Sequence, residues 1–396
     1  MSMVSLILVD TAVLDPNVQD TEALNGRMGA ESRFTKKRWA LTVIGLVLYI
    51  GDIGTDFFLG AKYLRDGHIV WGTLTFLFVL CASVCTQTFS YRWFNDDKND
   101  TEESWELITG LHIMQMGIFT RYFKLLKKSF QVVVNNDEGS HLMLFHLATD
   151  LSMLRLFEAF LESVPQLLLQ LYILLLGHGH ASALQYITMV ASFLNVAWAL
   201  VDYQRCLRRS LTDLKEMQSG LPTVVYLLYK LFTISTRVFS FSLLLALSPL
   251  SMFFMALVWL LGTAWAFVLR TDFCTTTALE VMYRTIVGVI LVFTFFNVKG
   301  QNTRVSMMVY YLFYVLVNLS APLLLYVFKP DVLRYEYGTT AIVTGLCIGL
   351  GLLCLYYRFC HPRKAIEVQL NDQVDGMEGQ EAGSDTSSRM GLFLQI

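Results

Sequence analysis

The sequence predicts an all-α polytopic membrane protein: eight transmembrane helices plus two partial, re-entrant ones, arranged as two parallel pseudo-repeats. Three observations lead there. Of 396 residues, 55% are hydrophobic and only 16% are charged. Apolar runs near the roughly 20 residues needed to cross a bilayer recur along nearly the whole chain. Short alternating strands, the mark of the other architecture that satisfies its backbone in lipid, are not evident. The formal net charge of -2 gives no sign of a nucleic-acid partner, and none is expected.

Residues 1–35 are polar apart from the patch MSMVSLILVD, which is too short to span and has no basic region before it. A disordered cytosolic arm is expected, with the first span acting as its own targeting signal. Long apolar runs follow at about 39–60, 69–91, 151–176, 182–204, 223–247, 250–269, 306–328 and 339–359. Two shorter stretches, at about 107–120 and 284–298, are broken by polar residues, His112 and Gln115 among them, and are expected to dip in without crossing. The order is long, long, short, long, long, twice over. This sets a first membrane repeat at 36–221, a second at 222–360 and a polar cytosolic tail at 361–396. Each half crosses an even number of times, so both start on one side and the repeat is parallel.

Basic residues set the sidedness. One set of connections carries Lys36, Lys37, Arg121, Lys124, Arg208, Arg209, Arg270 and Arg358, among others, whereas the other set has Lys62, Arg65, Lys329 and Arg334. The imbalance, roughly five to one, places both termini in the cytosol. The acceptor Asn99-Asp100-Thr101 then lies inside and should stay unglycosylated. The seven cysteines are scattered within or at the ends of apolar runs, with no disulfide framework or metal spacing. Cys81 and Cys85, one turn apart, read as small buried thiols.

Charged and amide residues inside spans carry the functional signal, because a charge at the bilayer centre costs about 2.5–3.5 kcal/mol on insertion scales. Arg155, Glu158, Glu162, Gln166 and Gln170 recur at steps of three or four and so line one helix stripe. Such a stripe can pass an ion, or a zwitterionic or anionic headgroup, from turn to turn; it can equally be internal glue. Pro165 leaves the Leu161 carbonyl without its helical donor and favours a bend beside the stripe. Asp52 and Asp56 lie one turn apart in the first span, and Lys230 and Arg237 lie in the span after the central linker. Counted at about 1.5 Å per residue, Asp52 matches Arg237 at about 20 Å depth and Glu158 matches Lys230 at about 10–12 Å. Two cross-helix ion pairs are therefore expected, which would fix helix register.

No catalytic arrangement stands out: the histidines are dispersed, with His178 and His180 in an outer loop, and there is no Gly-rich phosphate loop. No enzyme and no cofactor are expected, and any solute movement should be passive or ion-coupled. The tail contains Asp372-Gln373-Val374-Asp375-Gly376, the form of an executioner-caspase site: two Asp for basic pockets, Val for a small apolar one, and Gly for close backbone approach. Beyond it the chain ends in the apolar run Gly391-Leu392-Phe393-Leu394-Gln395-Ile396. A segment that docks elsewhere and is released by cutting would account for both.

These stretches together resemble the XK-related family, and within it the caspase-activated phospholipid scramblases. The resemblance rests on Asp150 to Gln166 (DLSMLRLFEAFLESVPQ), Val201 to Leu207, Thr294 to Thr303 (TFFNVKGQNT), Gly51 to Phe57 and the tail site DQVDG, and covers about Arg38 to Gly376. It implies eight spans plus two partial helices in the plasma membrane. It also implies energy-independent, bidirectional phospholipid movement that exposes phosphatidylserine on apoptotic cells after an executioner caspase cuts behind Asp375. By the same match Asp52, Asp56, Glu158, Glu162, Asp202 and Arg237 are the buried polar groups, and the tail beyond Asp375 is inhibitory. The arm before Thr35 is longer than the resemblance leads one to expect, with Met28 as an alternative start. Two readings of other classes stand beside this one. The first is an escort subunit for a single-span accessory glycoprotein, its charges purely structural. The second is an ion-coupled transporter of a small solute.

Overall fold

The computed structural model describes residues 36–96, 105–135, 141–177, 183–210, 217, 220–271, 273–297, 304–328 and 333–360. The expected arm, the Asn99 acceptor, His178, His180 and the tail site at Asp372, Asp375 and Gly376 lie outside these residues. Among the described residues there are helices and no strands. The first half consists of α1 (Lys36–Arg65), α2 (Ile69–Asp96), α3 (Trp105–Ile113), α4 (Gly117–Asn135), α5 (His141–Glu158), a π-helical turn π1 (Ala159–Ser163), α6 (Val164–Leu176) and α7 (Ala183–Ser210). The second half has α8 (Leu221–Leu247), α9 (Ser251–Val268), α10 (Thr277–Phe293), α11 (Arg304–Phe328), α12 (Leu333–Leu355) and a closing π turn, π2 (Tyr356–Cys360).

Eight helical segments are long and apolar enough to cross a membrane, so the chain is an all-α polytopic membrane protein. Burial sorts them by position. The segment Met143–Leu176 and α8 are 61% and 72% buried in their most apolar windows and form the centre, whereas α9 is 11% buried and forms the rim. Met252, Phe253, Leu257, Leu260 and Leu261 of α9 are exposed. In lipid such a face has nothing to hide, so helix association rests on close packing and internal hydrogen bonds. Cys81 also lies on an exposed face and Cys85 is half-buried, which corrects the reading of both as buried thiols. The α2 helix turns them towards the rim.

Local chemistry sets the ends. Gly67, with φ 83°, closes α1 through its N–H to the Leu64 carbonyl at 3.2 Å while His68 N–H reaches Tyr63 O at 2.8 Å, a left-handed cap that glycine adopts without steric cost. Pro222 opens α8, where its missing N–H is not needed. Thr276 caps α10 by accepting from Leu279 N–H at 3.4 Å. The end of α2 meets the α9–α10 connection where the Thr275 hydroxyl lies 3.4 Å and 3.5 Å from the two Asp96 carboxylate oxygens.

The two short apolar stretches differ from their expected form. Residues 107–120 are not one element: α3 stops at Ile113 and α4 restarts at Gly117, across Gln115 at φ 62°. The break is held by Met116 N–H to Leu111 O at 2.8 Å, Gly117 N–H to Gln87 Oε1 at 2.9 Å and Ser83 OH to Gln115 Oε1 at 2.6 Å. Arg121 and Lys124, read as surface charges, are buried on α4. Arg121 binds Asp150 at 3.0 Å and the Ser90 hydroxyl at 3.1 Å, and its guanidinium lies 4.4 Å from the Phe94 ring centroid. In the second half, α10 starts at Thr277, earlier than residue 284.

The third crossing is one continuous helical rod from His141 to Leu176, interrupted by π1. Pro165 explains the interruption. Its ring would clash with the Leu161 carbonyl in a regular helix, and widening the turn before it relieves that clash; Val164 N–H reaches back five residues to Ala159 O. Where a bend was expected beside the stripe, the helix carries a widened turn flanked by residues in helical conformation.

Helices α9 and α10 approach so closely that glycine is required. A Cβ on Gly288 would lie 2.9 Å from Thr263 N, and one on Gly262 would lie 3.1 Å from the Gly288 carbonyl oxygen. Gly351 of α12 has open space around it. Gly288→Ala should therefore lower the unfolding temperature in detergent by a few degrees, reflecting an overpacking cost of about 1–3 kcal/mol. Gly351→Ala should leave it unchanged or raise it; equal behaviour of the two variants contradicts this packing.

Candidate functional site: a polar ladder in the first half

Three elements converge on the polar stripe. Helix α1 supplies Tyr49, Asp52 and Asp56; the α5–π1–α6 rod supplies Arg155, Glu158, Glu162, Ser163, Gln166 and Gln170; α7 supplies Asn195 and Asp202. Arg155 pairs with Glu158 one turn on, reaches Asn195 Oδ1 at 3.5 Å, and lies 4.6 Å from the Tyr49 ring centroid. Asn195 in turn donates through Nδ2 to Asp52 Oδ2 at 3.2 Å, and the Ser163 hydroxyl donates to the same oxygen at 3.4 Å. Above this knot Asp56 faces Glu162 and Gln166. Glu158, Glu162, Gln166, Gln170 and Asp56 are buried, and Asp52 is half-buried.

The result is a ladder of four carboxyls against one guanidinium, climbing through the wide turn. Its lower rung is closed, since Arg155 satisfies Glu158 and, through Asn195, reaches Asp52. The upper part is less complete. Gln166 Nε2 and Gln170 Oε1 are buried with no hydrogen bond of good geometry among the described residues. A buried polar atom without a partner costs about 1–3 kcal/mol, so Gln170 Oε1 marks where a guest or water would be welcome, whereas Gln166 is turned towards the Asp56 carboxylate. Asp202 lies lower on α7, close to Arg205 and Arg155, with Cys206 Sγ 3.9 Å from its carboxylate.

The two expected cross-helix ion pairs are absent. Lys230 binds Thr294 Oγ1 at 3.0 Å and the Phe295 carbonyl at 2.8 Å, and Arg237 donates to Asn318 Oδ1 at 3.4 Å while lying 4.5 Å from the Tyr314 ring centroid. Asp52 and Glu158 find their partners inside the first half instead. Depth matching located the charges but not the direction in which α8 points them, which is towards α10 and α11. Asn195, Tyr49 and Ser163 were missed by the sequence reading. Asn195 had a signal, an amide in the middle of the apolar run ITMVASFLNVAWAL.

An apolar groove of about 310 Å³ lies on another face of the same rod, turned away from the ladder towards α2, α9 and α10, and is lined by Phe78, Pro165, Leu168, Met255, Trp259 and Phe293. Among the described residues no three His, Cys, Asp or Glu side chains are placed to hold a metal ion.

Fold and site define a polytopic helical membrane protein with a charged ladder enclosed between its central crossings. A sequence model described as XK-related protein matches residues 40–362. XK-related protein 9 of Tetraodon nigroviridis is 48% identical over 367 residues, covering 88% of this chain and 96% of that protein. XK-related protein 8 of the same fish is 32% identical over 343 residues, with 82% and 83% coverage, and that of Gasterosteus aculeatus is 32% identical over 355, with 83% and 86%. The chain belongs to the XK-related family.

The ladder makes a sharp energetic prediction. Arg155→Ala strands Glu158 in a buried site and should cost about 3–5 kcal/mol, read as a large fall in unfolding temperature. Adding Glu158→Gln to that variant should recover much of the loss. Equal stability of the single and double variants would mean that the pair is not the constraint described.

Proposed function

We propose that this chain is a phospholipid scramblase of the plasma membrane, activated when an executioner caspase cuts after Asp375. Movement is bidirectional and needs no nucleotide, and in a dying cell it exposes phosphatidylserine. Both termini lie in the cytosol, which agrees with the distribution of basic residues. The observation that carries the reading is the graded ladder: polar groups continue from Arg155 to Gln170, the lowest acid from α1 is half-buried, and the uppermost amides are buried, with Gln170 Oε1 lacking a hydrogen bond among the described residues. A headgroup has both an anionic phosphate and a polar or cationic end, which guanidinium, carboxyls and amides accommodate in turn. The apolar groove on the other face of the same rod suits an acyl chain.

One observation favours a second reading. The lower rung closes on itself through Arg155, Glu158, Asn195 and Asp52, as internal scaffolding would in an escort subunit for a single-span glycoprotein. Stoichiometric co-purification of such a protein, with no lipid transfer, would select that reading.

Purified full-length protein in vesicles should leave a fluorescent phospholipid in its leaflet, and caspase treatment should equilibrate it across both. Asp375→Ala should fold normally and stay inactive under the protease. Glu162→Gln should fold, since it removes a buried carboxyl without changing shape, and should slow transfer by cleaved protein about tenfold, equivalent to about 1.4 kcal/mol on the barrier. Folded, cleaved wild-type protein that moves no lipid would overturn the reading.

A further inference from the structure

Lys230 is a buried cation for which the ladder has no use. It is 2% exposed in α8, and no carboxylate among the described residues pairs with it. Its ammonium donates to Thr294 Oγ1 and the Phe295 carbonyl, and faces the rings of Tyr229 at 4.9 Å and Tyr226 at 5.6 Å. Thr294 is the first residue past α10, with its N–H on Ile290 O at 2.9 Å. The cation therefore sits at the negative end of the α10 dipole, between a carbonyl and two aromatic faces, and this arrangement replaces a counter-ion.

The same rings hold the end of the last crossing. Tyr356, the first residue of π2 and 2% exposed, lies 4.9 Å from the Tyr226 ring and 6.5 Å from that of Tyr229, nearly parallel to the latter at 18°. The tail begins five residues later. On the far side of Lys230, Thr294 follows Phe293, whose ring lies 6.4 Å from that of Phe160 in π1, the turn that carries Glu162. Packed contacts thus run without a gap from the root of the tail to the wide turn of the ladder.

We propose that Lys230 is a positioning residue that couples the root of the C-terminal tail to π1, through Tyr356 and Tyr229 on one side and Thr294 and Phe293 on the other. Its consequence for lipid transfer rests on the function proposed above; the coupling itself is a property of the packing.

The experiment compares full-length protein with protein cut after Asp375, using hydrogen exchange of the peptide covering residues 156–166. In the wild type, loss of the tail should change exchange there by about twofold to thirtyfold, the range that such networks transmit. Lys230→Met keeps the side-chain length but removes the donors, and should abolish the response. Tyr356→Leu, at the opposite end of the contact path, should abolish it independently. In vesicles, the ratio of cleaved to intact transfer rates should fall towards one in both variants, whatever their absolute rates. A merely structural lysine would alter stability but leave that ratio and the exchange response intact. Wild-type exchange that ignores the tail, or a wild-type response retained in the folded variants, overturns the proposal. An exchange response that vanishes in the variants, with no lipid transfer by any sample, would sink the scramblase reading and leave the coupling standing.

Discussion

The buried pair of Arg155 and Glu158 is the interaction on which the centre of the molecule depends. Bringing these charges out of water costs several kcal/mol each, and the cost is offset only when every remaining donor and acceptor is placed. That demand recruits neighbours. Asn195 bridges the guanidinium to Asp52, Ser163 adds a second donor to the same carboxylate, and Tyr49 covers the guanidinium with its ring. One pair thereby fixes the mutual rotation of three crossings, α1, the α5–α6 rod and α7. The wide turn caused by Pro165 then falls in the middle of the ladder, between the closed rung and the buried amides of Gln166 and Gln170. A helix interrupted at a functional stripe is where π turns are commonly found.

The first and second parts of the chain treat buried charge differently. The first half gathers acids around a single guanidinium. The second isolates its cations: Lys230 against a helix C-terminus and two rings, Arg237 between Phe241, Tyr314 and Asn318. Each solution is local, so no ion pair crosses between halves at these positions. The α8 helix, which joins the halves, is accordingly the most buried of the crossings.

Much of this was legible in the residues. Period and length revealed the eight crossings because lipid forces backbone bonds to close within each helix. The stripe from Arg155 to Gln170 was legible because insertion cost makes such groups rare. Partners were harder. Depth along a helix follows from residue count, but the azimuth that steers Lys230 towards Thr294 depends on packing, so the expected pairing with Glu158 failed. The Gln115 break was hidden because the residue that takes positive φ is not a glycine; its cost is met by side chains from α2 far away in sequence. Arg121 looked like a topological marker because its partner Asp150 lies on another element.

The central claim is that the upper ladder, beyond the closed rung, becomes a polar path. Single cysteines at Gln166 and Gln170, with a control at Ser240 in the second half, would be offered to a membrane-impermeant thiol reagent in vesicles, on a background in which the native cysteines are replaced. The account predicts slow modification of all three positions in intact protein, with Gln166 and Gln170 alone becoming reactive after the tail is cut. Unchanged protection of both ladder positions in cut, folded protein, or equal reactivity at Ser240, would contradict it.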